Sequence, residues 1–280
     1  MAVYKTAIGS MPFMPLSKGE NTLHKLFDLT GKIAVVTCCA SDMGQQMAEA
    51  LAEAGADIVG IDKFSLTDVE TAIKRYGRNF TGIKADLSNT TVIPDIIRSI
   101  VDNHGRIDIL IAYSNEQDNG EEPENISWDE YLHIVDANQN AIVRMATLVY
   151  SHMLKQGAGG KIVIVSSALA DRTASDTLAY TVTKNAIIGL MRTLSIAGAQ
   201  YNVWVNAIAP GIIKTSVVDV HLEMLAKVEA ELEQAGMGLM KMKTGKPSDI
   251  RGAAVFLSSK ASDYAVGQIL RVDGGFTSRL

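Results

Sequence analysis

Apolar runs recur along the chain with amphipathic stretches between them. Mostly apolar segments of five to seven residues stand at 33–37, 57–61, 80–84, 107–111, 161–165, 203–209 and 268–272. Helical spacing fills the intervals at 43–53, 66–76, 91–104, 128–154, 178–199, 217–234 and 247–257. A run that is apolar on consecutive residues suits a strand buried on both faces, and strands that alternate with helices build a parallel sheet with covered faces. The pattern predicts an α/β fold: a single Rossmann-type doubly wound parallel sheet of seven strands with helices on both faces. Residues 1–27 show no period and carry Gly9, Pro12, Pro15 and Gly19, so they read as an N-terminal extension lying on the domain or partly disordered, and 28–280 as the domain.

Composition narrows the partners. Twenty-six Lys and Arg against 31 Asp and Glu leave a net charge of −5, which excludes the basic footprint of a nucleic-acid binder. No apolar run approaches the roughly 20 residues of a membrane-spanning helix, and the first 30 residues lack the apolar block of a secretory signal. Cys38 and Cys39 are adjacent and are not expected to bridge, which suits a reducing, cytoplasmic setting. Two Cys and five His predict no metal site.

In this fold, ligands bind beyond the carboxyl ends of the strands, so the first strand-to-helix turn carries the most information. It reads Thr37-Cys38-Cys39-Ala40-Ser41-Asp42-Met43-Gly44. With its strand before and helix after, the turn resembles that of the short-chain dehydrogenase/reductase family, T-G-x-x-x-G-x-G. Cys38 and Asp42 stand where the family has glycine. Asp42 reads either as an N-cap of the following helix or as a carboxylate that repels a pyrophosphate. The resemblance implies that Thr37, Ser41, Met43 and Gly44 meet a dinucleotide, that Asp62 at the end of the second strand binds the adenosine ribose, and that Asp86 lies at the adenine. An acid at that ribose position implies NAD rather than NADP. After the fourth strand the family's N-N-A-G is replaced by Ala112-Tyr113-Ser114-Asn115, and the bulky Tyr113 is expected to intrude on the cofactor channel.

Tyr180 and Lys184 are four residues apart, on one face of a helix. Ser167 precedes Tyr180 by thirteen residues at the end of the fifth strand, and Asn138 lies in the helix before that strand. Tyr131, seven residues before Asn138, stands where the family tends to place Trp. The resemblance makes Tyr180 the acid–base, Lys184 the cation that lowers its pKa, Ser167 the group that holds the substrate oxygen, and Asn138 a relay. A phenol needs such help, since its ordinary pKa is about 10. Pro210-Gly211-Ile212-Ile213-Lys214-Thr215 resembles the family's P-G-x-x-x-T, which implies contacts with the nicotinamide end. Val272-Asp273-Gly274-Gly275 resembles its last strand.

Residues 212–246 correspond to the family's substrate lid, where Met224, Met237, Met240 and Met242 suit either packing of an amphipathic helix or an apolar pocket. Arg172, in the polar loop 171–176, reads as a solvated side chain or as a carboxylate partner. The acidic residues between 116 and 130 read as a solvated loop and helix start. As a pocket rim they would disfavour anionic substrates. Residues 54–62 and Ser262-Asp263-Tyr264 are locally similar to the sugar-acid (deoxygluconate) dehydrogenases.

Three functions stay open on these residues. The first is an NAD(H)-dependent oxidoreductase interconverting a secondary alcohol and a ketone on a small-molecule substrate. The second is a redox-neutral dehydratase, isomerase or cyclase using the same acid–base residues without a dinucleotide. The third is a non-catalytic binding or assembly subunit. The family resemblance also implies a homotetramer or homodimer paired through the long helices near 130–155 and 178–199.

Overall fold

The computed structural model describes residues 23–215 and 244–278. The lid helix expected at 217–234, its methionines and residues 1–22 lie outside the described residues. All seven expected strands form: β1 Ile33–Thr37, β2 Asp57–Asp62, β3 Phe80–Lys84, β4 Ile109–Ala112, β5 Gly160–Val165, β6 Val203–Pro210 and β7 Ile269–Val272. They make one parallel sheet in the order β3-β2-β1-β4-β5-β6-β7. The order reverses between β1 and β4, which opens a crevice at their carboxyl ends.

The helices are α1 Leu23–Phe27, α2 Asp42–Glu53, α3 Thr67–Lys74, α4 Ile93–His104, α5 Trp128–Val135, α6 Ala141–Gln156, α7 Leu178–Gly198 and α8 Arg251–Ser258. Successive strand residues face opposite layers. Val35, Val59, Ile61, Leu110, Ile162, Ile164 and Val205 pack with α4, α6 and α7. Ala34, Val36, Ile58, Ile109, Ile111, Val163 and Ile208 pack with α2, α3 and α8. Both faces being dry is why the strands read as unbroken apolar runs; each Ile or Val so buried contributes about 1.5–3 kcal/mol.

Several boundaries differ from the sequence reading. The single helix expected over 128–154 is interrupted by a π-helical turn, Asp136–Asn140, between α5 and α6. The extra residue of that turn rotates α6 relative to α5 and turns Asn138 fully inward. The fourth strand is shifted to start at Ile109, because Asp108 leaves the strand pattern to take the Ile33 N–H, Lys32 Nζ and Arg106 at the opposite end of the sheet. Ser167 lies two residues beyond the end of β5, where its hydroxyl accepts the Leu169 N–H and caps a short 3₁₀ turn. Within the expected extension, Leu23–Phe27 is helical. No helix among the described residues is long and apolar enough to cross a membrane.

Candidate active site

The turn between β1 and α2 keeps a glycine-type backbone without its first glycine. Cys38 has φ +51, in the left-handed region that costs an ordinary residue about 1–2 kcal/mol. The contacts explain why it is held there. Ser41 Oγ donates to the Cys38 carbonyl at 2.7 Å and accepts the Gly44 N–H at 3.1 Å. Gly44 in turn has no room for a side chain, since a Cβ there would lie 1.9 Å from the Cys38 oxygen. Ser41 is therefore the N-cap of α2, and Asp42 is its first residue, which corrects the cap assignment by one position. Burial pushes the Cys38 thiol up to about 11 and raises Cys39 as well, so neither is a thiolate at neutral pH.

Beyond this turn lies a cleft of about 560 Å³ at the β1/β4 reversal. Its wall includes Ser41, Met43, Asp62 and Asp86 at one end and Asn115, Gln117 and Thr215 at the other. Asp62 is almost fully buried; its Oδ2 accepts the Ala40 N–H and its Oδ1 the Phe64 N–H, both at 2.9 Å. Those bonds leave free lone pairs on each oxygen for a ligand hydroxyl. The Asp86 carboxyl sits below its usual range because Ser88 donates to it from both hydroxyl and backbone.

Not every expected contact residue reaches the cleft wall. Thr37 is fully buried and bridges two strands, accepting the Tyr113 N–H at 2.8 Å and donating to the Tyr113 carbonyl at 2.6 Å. Gly44 packs behind the turn. Pro210 ends β6, and Gly211 lies against Asp273, where a Cβ would meet its Cα at 2.6 Å. These four shape the site from behind.

Lys184, Tyr180 and Asn138 meet one segment, residues 114–119, and Ser167 is hydrogen-bonded to Tyr180. Lys184 is fully buried, and its Nζ donates to the Ser114 carbonyl at 2.6 Å and to the Val165 carbonyl at 3.4 Å. It stands 5.3 Å from the Tyr180 ring centroid and 5.7 Å from that of Tyr113. Burial drags its ammonium down to about 7. Tyr180 Oη donates to Asn115 Oδ1 over a long 3.5 Å, and the same oxygen takes Gln117 Nε2 at 2.9 Å. Burial raises the Tyr180 phenol, hydrogen bonds with Ser167 and Gln117 pull it back, and the Asp118 charge adds to the rise. Asn138 holds the backbone of Glu116 in both directions, accepting its N–H at 3.1 Å and donating to its carbonyl at 2.7 Å.

Two features of this segment escaped the sequence reading. Asp118 accepts the Ala179 N–H at 3.0 Å and the Tyr180 N–H at 2.9 Å, capping the first turn of α7 from 61 residues away. Glu116 pairs with Lys63 at 2.5 Å. The acidic stretch is thus only partly a solvated loop: Glu121, Glu122, Glu124 and Asp129 are exposed, while Glu116 is paired with Lys63 and Asp118 is bound to backbone N–H groups at the cleft. Tyr131 stacks on Trp128, with ring centroids 5.0 Å apart.

The cleft suits a dinucleotide at both ends. Among the described residues, the buried hydroxyls Ser114 Oγ and Thr215 Oγ1 on its wall have no partner, which leaves them open to a ligand. The turn presents α2's N-terminus, and Asp62 offers acceptors to hydroxyls. Tyr113 also lines the cleft, its buried side chain beside Ser41.

Comparison with known proteins agrees with this architecture. A family model described as enoyl-(acyl carrier protein) reductase matches residues 39–277. The 2-dehydro-3-deoxy-D-gluconate 5-dehydrogenase of Bacillus subtilis is 36% identical over 258 residues, covering 92% of this chain and 99% of the relative. A 3-oxoacyl (acyl-carrier-protein) reductase from Agrobacterium tumefaciens, solved with NADP bound, superposes with TM-score 0.83 at 25% identity, covering 93% and 100% of the two chains. Carveol dehydrogenase from Mycobacterium avium, in complex with NAD, superposes with TM-score 0.80 at 26% identity, covering 88% and 97%. The non-catalytic alternative falls away with these matches: the chain belongs to the short-chain dehydrogenase/reductase family and is an oxidoreductase.

Proposed function

We propose that the protein is an NAD(H)-dependent oxidoreductase that interconverts a secondary alcohol and a ketone on a sugar acid or closely related polyol. The observation that carries this reading is the buried pair Tyr180 and Lys184, with Nζ 5.3 Å from the phenol ring, hydrogen-bonded to Asn115 and Ser114 of the cleft wall. A nicotinamide dinucleotide supplies the hydride acceptor or donor in this class of reaction. Thr215, Ser114, Ser41, Met43, Asp62 and Asp86 would hold it. In the reductive direction Tyr180 Oη gives its proton to the carbonyl oxygen, and in the oxidative direction it takes the proton back. Lys184 favours the phenolate while it is charged. Ser167 orients the substrate oxygen, and Asn138 keeps the 114–119 backbone in place so that the Lys184 contact persists.

Asp62 favours NAD, because a 2′-phosphate at the ribose would stand against a buried carboxylate. The Bacillus subtilis relative's name supports the substrate class. The acidic wall does not oppose it, since Lys63 offsets Glu116 and the first turn of α7 offsets Asp118. A homodimer or homotetramer paired through the α5 and α7 surfaces accords with exposed Leu132, Val182 and Ile196.

Titration of the purified protein with NADH and NADPH tests this reading. Micromolar NADH binding, weaker for NADPH, followed by nicotinamide-linked turnover of 2-dehydro-3-deoxy-D-gluconate, supports the oxidoreductase. Binding of neither dinucleotide at millimolar concentration overturns it.

A further inference from the structure

Four residues between 114 and 118 hold members of the proposed catalytic set: Ser114 takes Lys184, Asn115 meets Tyr180 Oη, Glu116 is clamped by Asn138, and Asp118 takes the backbone at Tyr180. Of these, Asn115 meets only the Tyr180 hydroxyl, whereas Asp118 takes the backbone of the first turn of α7. Its two oxygens each accept one N–H, from Ala179 and Tyr180. α7 has no cap of its own there, since Thr177 makes no side-chain cap bond. A carboxylate at a helix N-terminus is also favoured by the helix dipole.

We infer that Asp118 is a positioning residue for the reaction, docking the 114–119 segment onto α7 so that Tyr180 is fixed beside Asn115, Gln117 and Lys184. This inference rests on the proposed role of Tyr180.

Asp118 does more than a neutral cap could. It lines the cleft, and its negative charge lies on the Tyr180 side of it. The titratable groups facing the Tyr180 phenol are Asp118 from this segment, Lys184 from α7 and Tyr113 from the end of β4. Glu116 is turned to Lys63. Burial is the main reason the Tyr180 phenol is raised, and the Asp118 charge adds to the rise. A protonated phenol is the acid that carbonyl reduction requires: the O–H bond of Tyr180 breaks and an O–H bond forms on the substrate oxygen. Loss of the Asp118 charge would make that phenol easier to ionise.

The test separates geometry from charge without needing a substrate. The phenolate of Tyr180 is titrated by near-ultraviolet absorbance as the difference between each protein and its own Tyr180→Phe counterpart. In Asp118→Asn, which keeps one cap acceptor and loses the charge, the midpoint is expected to fall by about one pH unit. In Asp118→Ala, amide exchange at Ala179 and Tyr180 is expected to quicken at least tenfold while β-sheet amides stay protected. An unmoved midpoint in Asp118→Asn, or unchanged exchange at both amides in Asp118→Ala, overturns the inference. Because neither readout uses turnover, a shifted midpoint in a protein that reduces no carbonyl would leave Asp118's effect on Tyr180 standing and count against the proposed role of Tyr180 alone.

Discussion

Lys184 Nζ lies 2.6 Å from the carbonyl oxygen of Ser114, the residue that replaces the family's alanine after the fourth strand. The bond ties a fully buried cation to the segment that walls the cleft, and makes Lys184 both a structural and an electrostatic element. Its ammonium donates to two backbone carbonyls and meets two aromatic faces, with no carboxylate in contact.

This arrangement has a pH signature. Burial lowers Lys184 to about 7 against an ordinary 10.5, so the unfolded chain binds its proton more tightly than the folded one. Stability is therefore expected to rise as pH climbs from about 7 toward 10.5, and the penalty to be complete below that window. Urea unfolding at a series of pH values should show this slope in the natural protein and a flatter one in Lys184→Met. Lys184→Met should also lose about 100-fold or more of turnover. Identical slopes for the two proteins would count against a buried, depressed lysine.

Cys38 is held at φ +51, where glycine is at ease. Cys38→Gly is expected to stabilise the protein by about 0.5–1 kcal/mol, the relief of the left-handed conformation less the extra freedom glycine gains when unfolded. Cys38→Val should destabilise it by at least as much, since branching at Cβ worsens the same strain. Thermal unfolding of the two variants checks the sign; a destabilised glycine variant would contradict the account of the turn.

Asn138 satisfies both backbone groups of Glu116 from a fully buried position. Asn138→Ala strands a buried N–H and a carbonyl, at a cost of about 2–4 kcal/mol by denaturant unfolding. It should also release Lys184 from Ser114 by loosening the segment between them, lowering turnover more than dinucleotide affinity. Equal losses in both would point to a general collapse of the cleft.

Much of this was legible in the sequence because burial on both sheet faces leaves an unambiguous pattern: 33–37 and 161–165 could be little else than inner strands. Tyr180, Lys184, Ser167 and Asn138 were singled out through the family resemblance, whose register on those elements they match, and their roles are proposed. What stayed hidden depends on contacts distant in sequence. Asp118 sits in a run of acids that looks solvated, and its role appears only when the loop folds back on α7. The π-turn at Asp136–Asn140 has no compositional mark, because the apolar spacing of 128–154 continues through it. The N-cap moved from Asp42 to Ser41 because both residue types cap well, and the Cys38 carbonyl decides between them.

The most direct test of the account compares Tyr180→Phe with the natural protein for nicotinamide-linked turnover of 2-dehydro-3-deoxy-D-gluconate, alongside NADH affinity. The change removes one hydroxyl whose bonds are to Asn115, Ser167 and Gln117, so fold and NADH affinity should be unchanged. Turnover should fall by about 100- to 10,000-fold, the usual worth of a positioned acid–base group. Turnover retained within a few-fold in Tyr180→Phe would contradict the central claim that this phenol moves the proton.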